Sequence, residues 1–436
     1  RDRVSGVSGT LGVALLVITI IGVVAAPLLI MLFAPGFRGE NGRFDLAVDM
    51  LRWTFPYILF MSLVALGGGI LNSYGRFGVA AFNSTLLNIV MIVFASLIAP
   101  HFPEPGIVLA IGVFVAGLVQ LFAQWPALRS LGLLPRPRWR WSHEGVRRIA
   151  RLMLPGIFGS SMAQVSLLLD TLIASFLMTG SIAWLYYADR LMEFPLGVFS
   201  IALATVILPG LSRHHAEEDP RRFNDVLDWA LRLTLLITLP AAVALFVLAE
   251  PLTAAIFGYG QFNAGDVQMT SYAVMAYALG LIGFSLVKVL APGYFARQDT
   301  RTPVRVAMIA LGANMGFNVL VVVPAHLYGF SAPHALLALS TGLSALLNSV
   351  LLYRGLRRSG VYTPSGRWKT LWPRAIAANL AMAAFLWWFA GLAASWPELP
   401  VLERIWRIGG CVGGGAALYF AVLWAAGLRY RDFRPG

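Results

Sequence analysis

The sequence predicts an all-α, polytopic integral membrane protein, and three observations predict it. Of 436 residues, 58% are hydrophobic and only 12% charged, about half the charged share of a soluble domain. Apolar runs long enough to span a hydrocarbon core of about 30 Å follow one another along the chain. The basic residues that give a net charge of +13 sit in short connections between those runs, so they read as topology and not as a nucleic-acid face.

Taken in order, the runs lie near 10–34, 49–72, 79–99, 107–128, 152–178, 182–209, 227–249, 267–291, 304–323, 334–353, 371–391 and 406–428. Twelve spans return the chain to its starting side. Of 33 Lys and Arg, 26 fall at the termini, in the even-numbered connections and at adjoining helix ends. Arg38, Arg43, Arg404 and Arg407 fall on the other side, and Arg52, Arg190 and Lys288 within spans. Lys and Arg are retained in the cytoplasm, so both ends are expected there. The most basic connection, Arg129 to Arg151, reads as topology and contact with anionic lipid.

Parts of the two halves resemble one another. A helix ends in a turn with Arg76 and the next carries Asn83 and Asn88; later, a helix ends in a turn with Arg297 and Arg301 and the next carries Asn314 and Asn318. Such duplication builds transporters from two bundles.

Asp170, Asp189, Arg190 and Glu193 fall well within the spans. A charge at a helix centre costs about 2.5 to 3.5 kcal/mol to insert, so such residues face a cavity or a partner. Asp189, Arg190 and Glu193 share one helical face by their spacing, and Pro195 and Gly197 can bend that helix beside a water-filled space. Arg190 and Glu193 could neutralise each other; the third charge, Asp189, favours a substrate cavity. Asp170 has no charged neighbour at helical spacing. A coupling cation is one partner for it, with Asn314 and Asn318 supplying amide oxygens; an interhelical hydrogen bond is the other reading of each Asn.

Several chemistries are excluded. No Gly-Lys pair exists to build a P-loop, and the six histidines, with His214 and His215 adjacent in a charged connection, form no ligand pattern. Cys411 is the sole cysteine, so there is no disulfide framework. A transporter of this kind draws on an ion gradient, the membrane potential or its cargo's own gradient, and is not an enzyme.

Three segments then resemble a known family: YYADRLMEFPLGVFSIALATVILPGLS at Tyr186 to Ser212, PYILFMSLVALGGGILNSYGRFGVAAFNSTLLNIVMI at Pro56 to Ile92, and VKVLAPGYFARQDTRTPVRVA at Val287 to Ala307. They are similar to the MurJ (MviN) family, within the multidrug, oligosaccharidyl-lipid and polysaccharide exporters. The resemblance implies a flippase for lipid II, the undecaprenyl-diphosphate-linked peptidoglycan precursor, in the bacterial inner membrane. It implies fourteen helices, of which this chain resembles the last twelve, with the opening Arg-Asp-Arg-Val-Ser-Gly expected to lie within a longer protein. It implies a remainder of the N-terminal lobe over 1–151, a C-terminal lobe over 152–360, and a helix pair over 361–436 that grooves the lipid tail. By resemblance Arg190 is a cavity arginine with Asp189 and Glu193 beside it. Asp170, Asn314, Asn318 and Thr341 match a sodium site, making Na+ a candidate coupling ion with no other cofactor. The partners implied are lipid II and anionic lipids, with the protein monomeric. The alternatives are a flippase for another polyprenyl-linked glycan, a cation-coupled drug exporter, or a non-transporting scaffold.

Overall fold

In a computed structural model, residues 2–39, 42–132, 164–201, 207–213, 217, 219–391 and 395–428 are described. They are helical apart from turns, and the chain divides into two compact units, Arg1–Phe176 and Leu177–Gly436.

In the first unit, α1 (Asp2–Val24) gives way at Ala25 to α2 (Ala26–Phe33), bent by 70°. Pro27 causes the break, because it has no N–H to continue the ladder but suits a first turn. α3 (Arg43–Thr54) and α4 (Tyr57–Ser73) together make one 31-residue span, interrupted at Pro56. α5 (Phe77–Val93) runs into a π turn at Phe94–Ile98, and α6 (Pro105–Ser130) follows. The last described helix here is the shorter α7 (Gln164–Ser175). Two buried glutamines on α6 tie this unit together. Gln120 Nε2 donates to the Asn83 carbonyl on α5 at 2.9 Å and its Oε1 accepts from Tyr57 OH on α4 at 3.0 Å, while Gln124 Nε2 donates to the Val64 carbonyl at 3.2 Å. Among apolar helices such polar pairs act as glue where burial cannot, since lipid is as apolar as the partner helix.

The second unit comprises α8 (Ser181–Pro195), a π turn (Leu196–Ile201), α9 (207–213), α10 (Pro220–Val247), α11 (Ala249–Phe257) and α12 (Ala264–Phe295). It continues through α13 (Arg301–Phe317), a π turn (Asn318–Val322), α14 (Val323–Leu327), α15 (Pro333–Arg358), α16 (Arg367–Ala390) and α17 (Val401–Ala425). α12 is the axis of this unit: 56% of its most apolar window is buried, against 6% for the span that contains α5 in the first unit. It packs on α15 through glycine. A Cβ on Gly283 would stand 2.5 Å from the Leu346 backbone nitrogen, and one on Gly280 would collide with Gly342, so the two backbones meet where side chains are absent.

Each of the twelve apolar runs carries a helix among the described residues. Among the described residues eight helical stretches, the joined α3–α4 among them, are long and apolar enough to cross a membrane, and the α1–α2 pair makes a ninth. α16, at 24 residues, is long enough but opens with Arg367, Lys369 and Arg374. The runs 152–178 and 182–209 are described only in part, and His214, His215 and most of the Arg129–Arg151 connection lie outside the described residues. The apolar surface left over, such as Ile21, Phe194, Leu320 and Trp387, is what a lipid solvent requires.

The internal likeness takes a different form from the one the asparagines suggest. α5 and α13 are both 17 residues, each is followed by a five-residue π turn, and each then leads to a 26-residue helix that opens on proline. Within that common order Asn83 is the seventh residue of α5, whereas Asn314 is the fourteenth of α13. The element order repeats, and the asparagines do not share a register.

Candidate functional site

α8 carries the three charges that the sequence places on one face, and its opposite face fixes it within the second unit. Trp184, Ala188, Leu191 and Met192 are buried. Gly180 starts the helix at φ +101°, where any side chain would be strained and a Cβ would meet the Trp184 ring at 2.6 Å. Trp184 Nε1 donates to Asp266 Oδ1 at 2.9 Å, and its ring lies 4.9 Å from that of His334. Asp266 in turn closes a capping box with Asn263 at the start of α12. Tyr187 packs its ring against Phe257 and Phe262, at 4.8 and 5.3 Å.

On the outer face, Arg190 Nη1 donates to Glu193 Oε2 at 2.6 Å, and Arg190 Nη2 lies 3.9 Å from Asp189 Oδ2. The guanidinium also stands over the Tyr186 ring, 4.9 Å from its centroid, a cation–π contact that holds the planar group flat. Tyr186 belongs to this cluster and was not singled out in the sequence; the i, i+4 spacing from Tyr186 to Arg190 is the signal that could have found it. The Arg190 side chain is 50% exposed and Glu193 49%, so the pair is oriented but not buried. A guanidinium has five N–H donors, and Glu193 takes one of them at hydrogen-bond distance. The rest can receive a planar oxyanion. With two carboxylates against one guanidinium the face is net negative, so an anionic cargo must displace Glu193 or meet further cations.

α8 ends at Pro195, which has no N–H to give the Leu191 carbonyl, and the chain continues as the π turn Leu196–Ile201. The bend expected from Pro195 and Gly197 thus takes the form of a widened turn just beyond the charged face.

The four residues of the sodium expectation are found in both units. Asp170 is half-buried on α7 in the first unit, and Asn314, Asn318 and Thr341 belong to the second. Asn314 and Asn318 are both buried. Ser340 on α15 donates to the Asn314 side-chain oxygen and, at 3.1 Å, lies close to the Asn314 carbonyl. Thr341 donates its hydroxyl to the Leu337 carbonyl at 3.1 Å within its own helix. Asn314 therefore makes the interhelical bond that was the second reading of this residue, and its partner, Ser340, is one residue before the threonine that the sequence singles out. Among the described residues no group of three or more His, Cys, Asp and Glu side chains gathers in a metal-binding cluster.

Sequence reasoning passed over the most buried carboxylate among the described residues of the second unit. Asp228 on α10 has a side chain only 2% exposed and pairs with Arg232 Nε at 3.0 Å. Its Oδ1 accepts from Tyr362 OH at 2.8 Å and Trp368 Nε1 at 2.7 Å, with the Ser365 N–H at 3.2 Å, and its Oδ2 accepts from Ser365 Oγ at 2.7 Å. This one carboxylate fastens the connection before α16 onto α10. Arg404, counted among the four arginines on the less basic side, is also a structural group. It is buried and donates to the carbonyls of Ala254 and Gly258 at the end of α11, both at 2.8 Å, and to those of Leu399 and Pro397.

Comparison with known proteins places the chain. A family model described as "Lipid II flippase MurJ" matches residues 2–402. A protein of Vibrio cholerae named "Probable lipid II flippase MurJ" is 43% identical over all of this chain and 83% of its own length. One of Burkholderia cenocepacia named "Lipid II flippase MurJ" is 40% identical over 100% of this chain and 84% of its own. A solved structure titled "Lipid II flippase MurJ, inward closed conformation" superposes with a TM-score of 0.79 at 22% identity, covering 99% of this chain and 84% of that one. An inward-facing multidrug resistance MATE transporter of the MOP superfamily superposes with 0.64 at 14% identity, covering 82% and 87%. The two structural matches concern the fold alone.

Proposed function

Because the chain belongs to the MurJ family of lipid II flippases, we propose that it carries lipid II across the bacterial inner membrane as a multi-pass transporter and not as an enzyme. The observation that carries this reading is likeness at 40–43% identity along the whole chain to relatives so named. In this reading α8 supplies the charge that meets such a cargo. The cargo head carries a diphosphate, and a guanidinium is the side chain suited to it, being always charged and able to donate two parallel hydrogen bonds.

In this reading Arg190 receives the diphosphate, and Glu193 and Asp189 keep the guanidinium oriented when cargo is absent and yield when it arrives. Lipid-linked cargo need bring only its polar head through the protein, because the tail is soluble in the bilayer. Passage of each net negative charge outward along an inside-negative potential is favoured by about 2.3 kcal/mol per 100 mV, which biases alternating access without ATP. Sodium is the candidate coupling ion in this reading, with Asp170 the residue through which it is tested. The Arg129–Arg151 connection supplies contact with anionic lipid.

The test is complementation of a flippase-depleted strain by the full-length protein. Arg190→Ala is expected to abolish growth while the protein still inserts at normal abundance, and Arg190→Lys to restore part of it. Normal growth with Arg190→Ala would overturn the assignment of Arg190. Coupling is tested separately: Asp170→Asn should remove a sodium dependence of lipid II translocation, and a wild-type rate that is the same in sodium and in potassium removes sodium from the mechanism.

A further inference from the structure

A second cationic site lies within the second unit, away from α8. A recess of about 90 Å3 opens between the first half of α16, the adjoining turns of α10 and the end of α17. Arg232, Arg367 and Arg374 line it beside Trp229, and Leu233 and Leu236 form part of its wall. Arg367 and Arg374 are seven apart on α16, two helical turns on one face. Arg374 reaches towards the end of α17, its Nη2 lying 3.7 Å from where a Cβ on Gly427 would stand.

The charges here do not balance. Asp228 neutralises Arg232, and both of its oxygens are already filled by Tyr362, Ser365 and Trp368 besides Arg232. Among the described residues no carboxylate pairs with Arg367 or Arg374. Two guanidiniums therefore face one small recess uncompensated, beside a third that is buried, and like charges so placed repel. An anion that enters lowers that energy and meets donors in bidentate geometry.

The surroundings select the form of the anion. Leucine lines the recess beside the arginines, with Leu233, Leu236, Leu371 and Leu428 in its wall. Trp229 lines the recess, and Trp368 and Trp372, with ring centroids 6.0 Å apart, stand on the first turns of the same α16; tryptophan is the residue type that marks the headgroup layer of a bilayer. A cationic mouth over an apolar wall fits a phosphate that carries acyl chains better than one that is free in water. We propose that this recess binds the phosphate of an anionic phospholipid, held by Arg367, Arg374 and Arg232 with its chains along the leucine wall. Basic pockets between membrane helices recognise lipid headgroups in this way. The proposal rests on the recess alone and does not depend on which cargo α8 receives.

The test is native mass spectrometry of the purified protein titrated with phosphatidylglycerol and, separately, with phosphatidylethanolamine. The double substitution Arg367→Gln with Arg374→Gln is expected to weaken phosphatidylglycerol binding roughly thirtyfold, about fivefold for each surface guanidinium lost, and to leave phosphatidylethanolamine unchanged. Thr370→Trp, which fills the recess and keeps every arginine, should lose phosphatidylglycerol as well. The pair Arg354→Gln with Arg358→Gln, on α15 and outside the recess, should retain it. Undiminished binding in the double variant or in Thr370→Trp overturns the site, and an equal loss in the α15 pair shows diffuse charge attraction instead. Displacement of phosphatidylglycerol by an equal concentration of inorganic phosphate would assign the recess to a free anion and reject the lipid.

Discussion

The ion pairs within α8 and within α10 differ in burial, and burial separates what the pairs do. Arg190 and Glu193 are each about half exposed, where an ion pair contributes at most about 1 kcal/mol. Glu193→Gln should accordingly leave the melting temperature almost unchanged while it frees a donor of Arg190. Lipid II affinity should rise, and an affinity that falls would show that Glu193 orients the guanidinium more than it competes for it. Arg232 and Asp228 are buried, and there the removal of one partner strands the other. Asp228→Ala is expected to cost about 3 to 5 kcal/mol, read as a lowered thermal unfolding midpoint in detergent, with Asp228→Asn milder because it keeps the shape. The α8 charges were legible in the sequence because their spacing alone places them on one face. Asp228 was not, because Tyr362, Ser365 and Trp368 lie more than 130 positions along the chain and local periodicity cannot bring them together. Asn314 shows the same limit: its spacing to Asn318 was readable, and its partner Ser340 on another helix was not.

At the scale of elements, proline explains a contact that packing alone does not. Pro240 sits inside α10 and cannot donate to the carbonyl four residues earlier, that of Leu236. Tyr419 OH on α17 donates to that carbonyl at 2.7 Å, so a bond lost within one helix is recovered from another. Tyr419→Phe keeps the ring and leaves the carbonyl buried without its donor, which should cost about 1 to 3 kcal/mol and lower the unfolding midpoint. An unchanged midpoint would mean that α10 relaxes to satisfy Leu236 by itself. The start of α13 carries a smaller, pH-dependent version of the same need. Asp299, in the turn before it, accepts from the Thr302 N–H at 3.0 Å, and hydrogen bonds from Thr302 hold its carboxyl below the usual carboxylate range. A carboxyl that is more acidic in the folded state contributes stability at neutral pH and loses it as pH falls through the folded value. Apolar run length located a helix at each run among the described residues, whereas the bend at Ala25 and the π turns depend on hydrogen bonds that run length does not report.

At the scale of the whole molecule, charge is sorted by end. Between Arg221 and Arg374 no Lys or Arg falls in the connections 248–263 or 318–332, while the turns that join α12 to α13 and α15 to α16 are flanked by Arg297, Arg301, Arg305, Arg354, Arg357, Arg358 and Arg367. This asymmetry was fully legible in advance, since it requires only the order of spans and no contact between them. If retention of Lys and Arg in the cytoplasm sets the orientation, the turn at Thr363 faces the cytoplasm and the turn at Gln261 faces the outside. The only cysteine, Cys411, is buried, so Cys411→Ala supplies a background in which single exposed cysteines report alone. Gln261→Cys should then react with a membrane-impermeant maleimide in cells whose outer membrane is permeabilised, and Thr363→Cys only after the inner membrane is opened. The reverse pattern would invert the protein in the bilayer. It would also turn the membrane potential against outward movement of an anionic cargo, so the same labelling decides both the topology and the direction in which the potential can act.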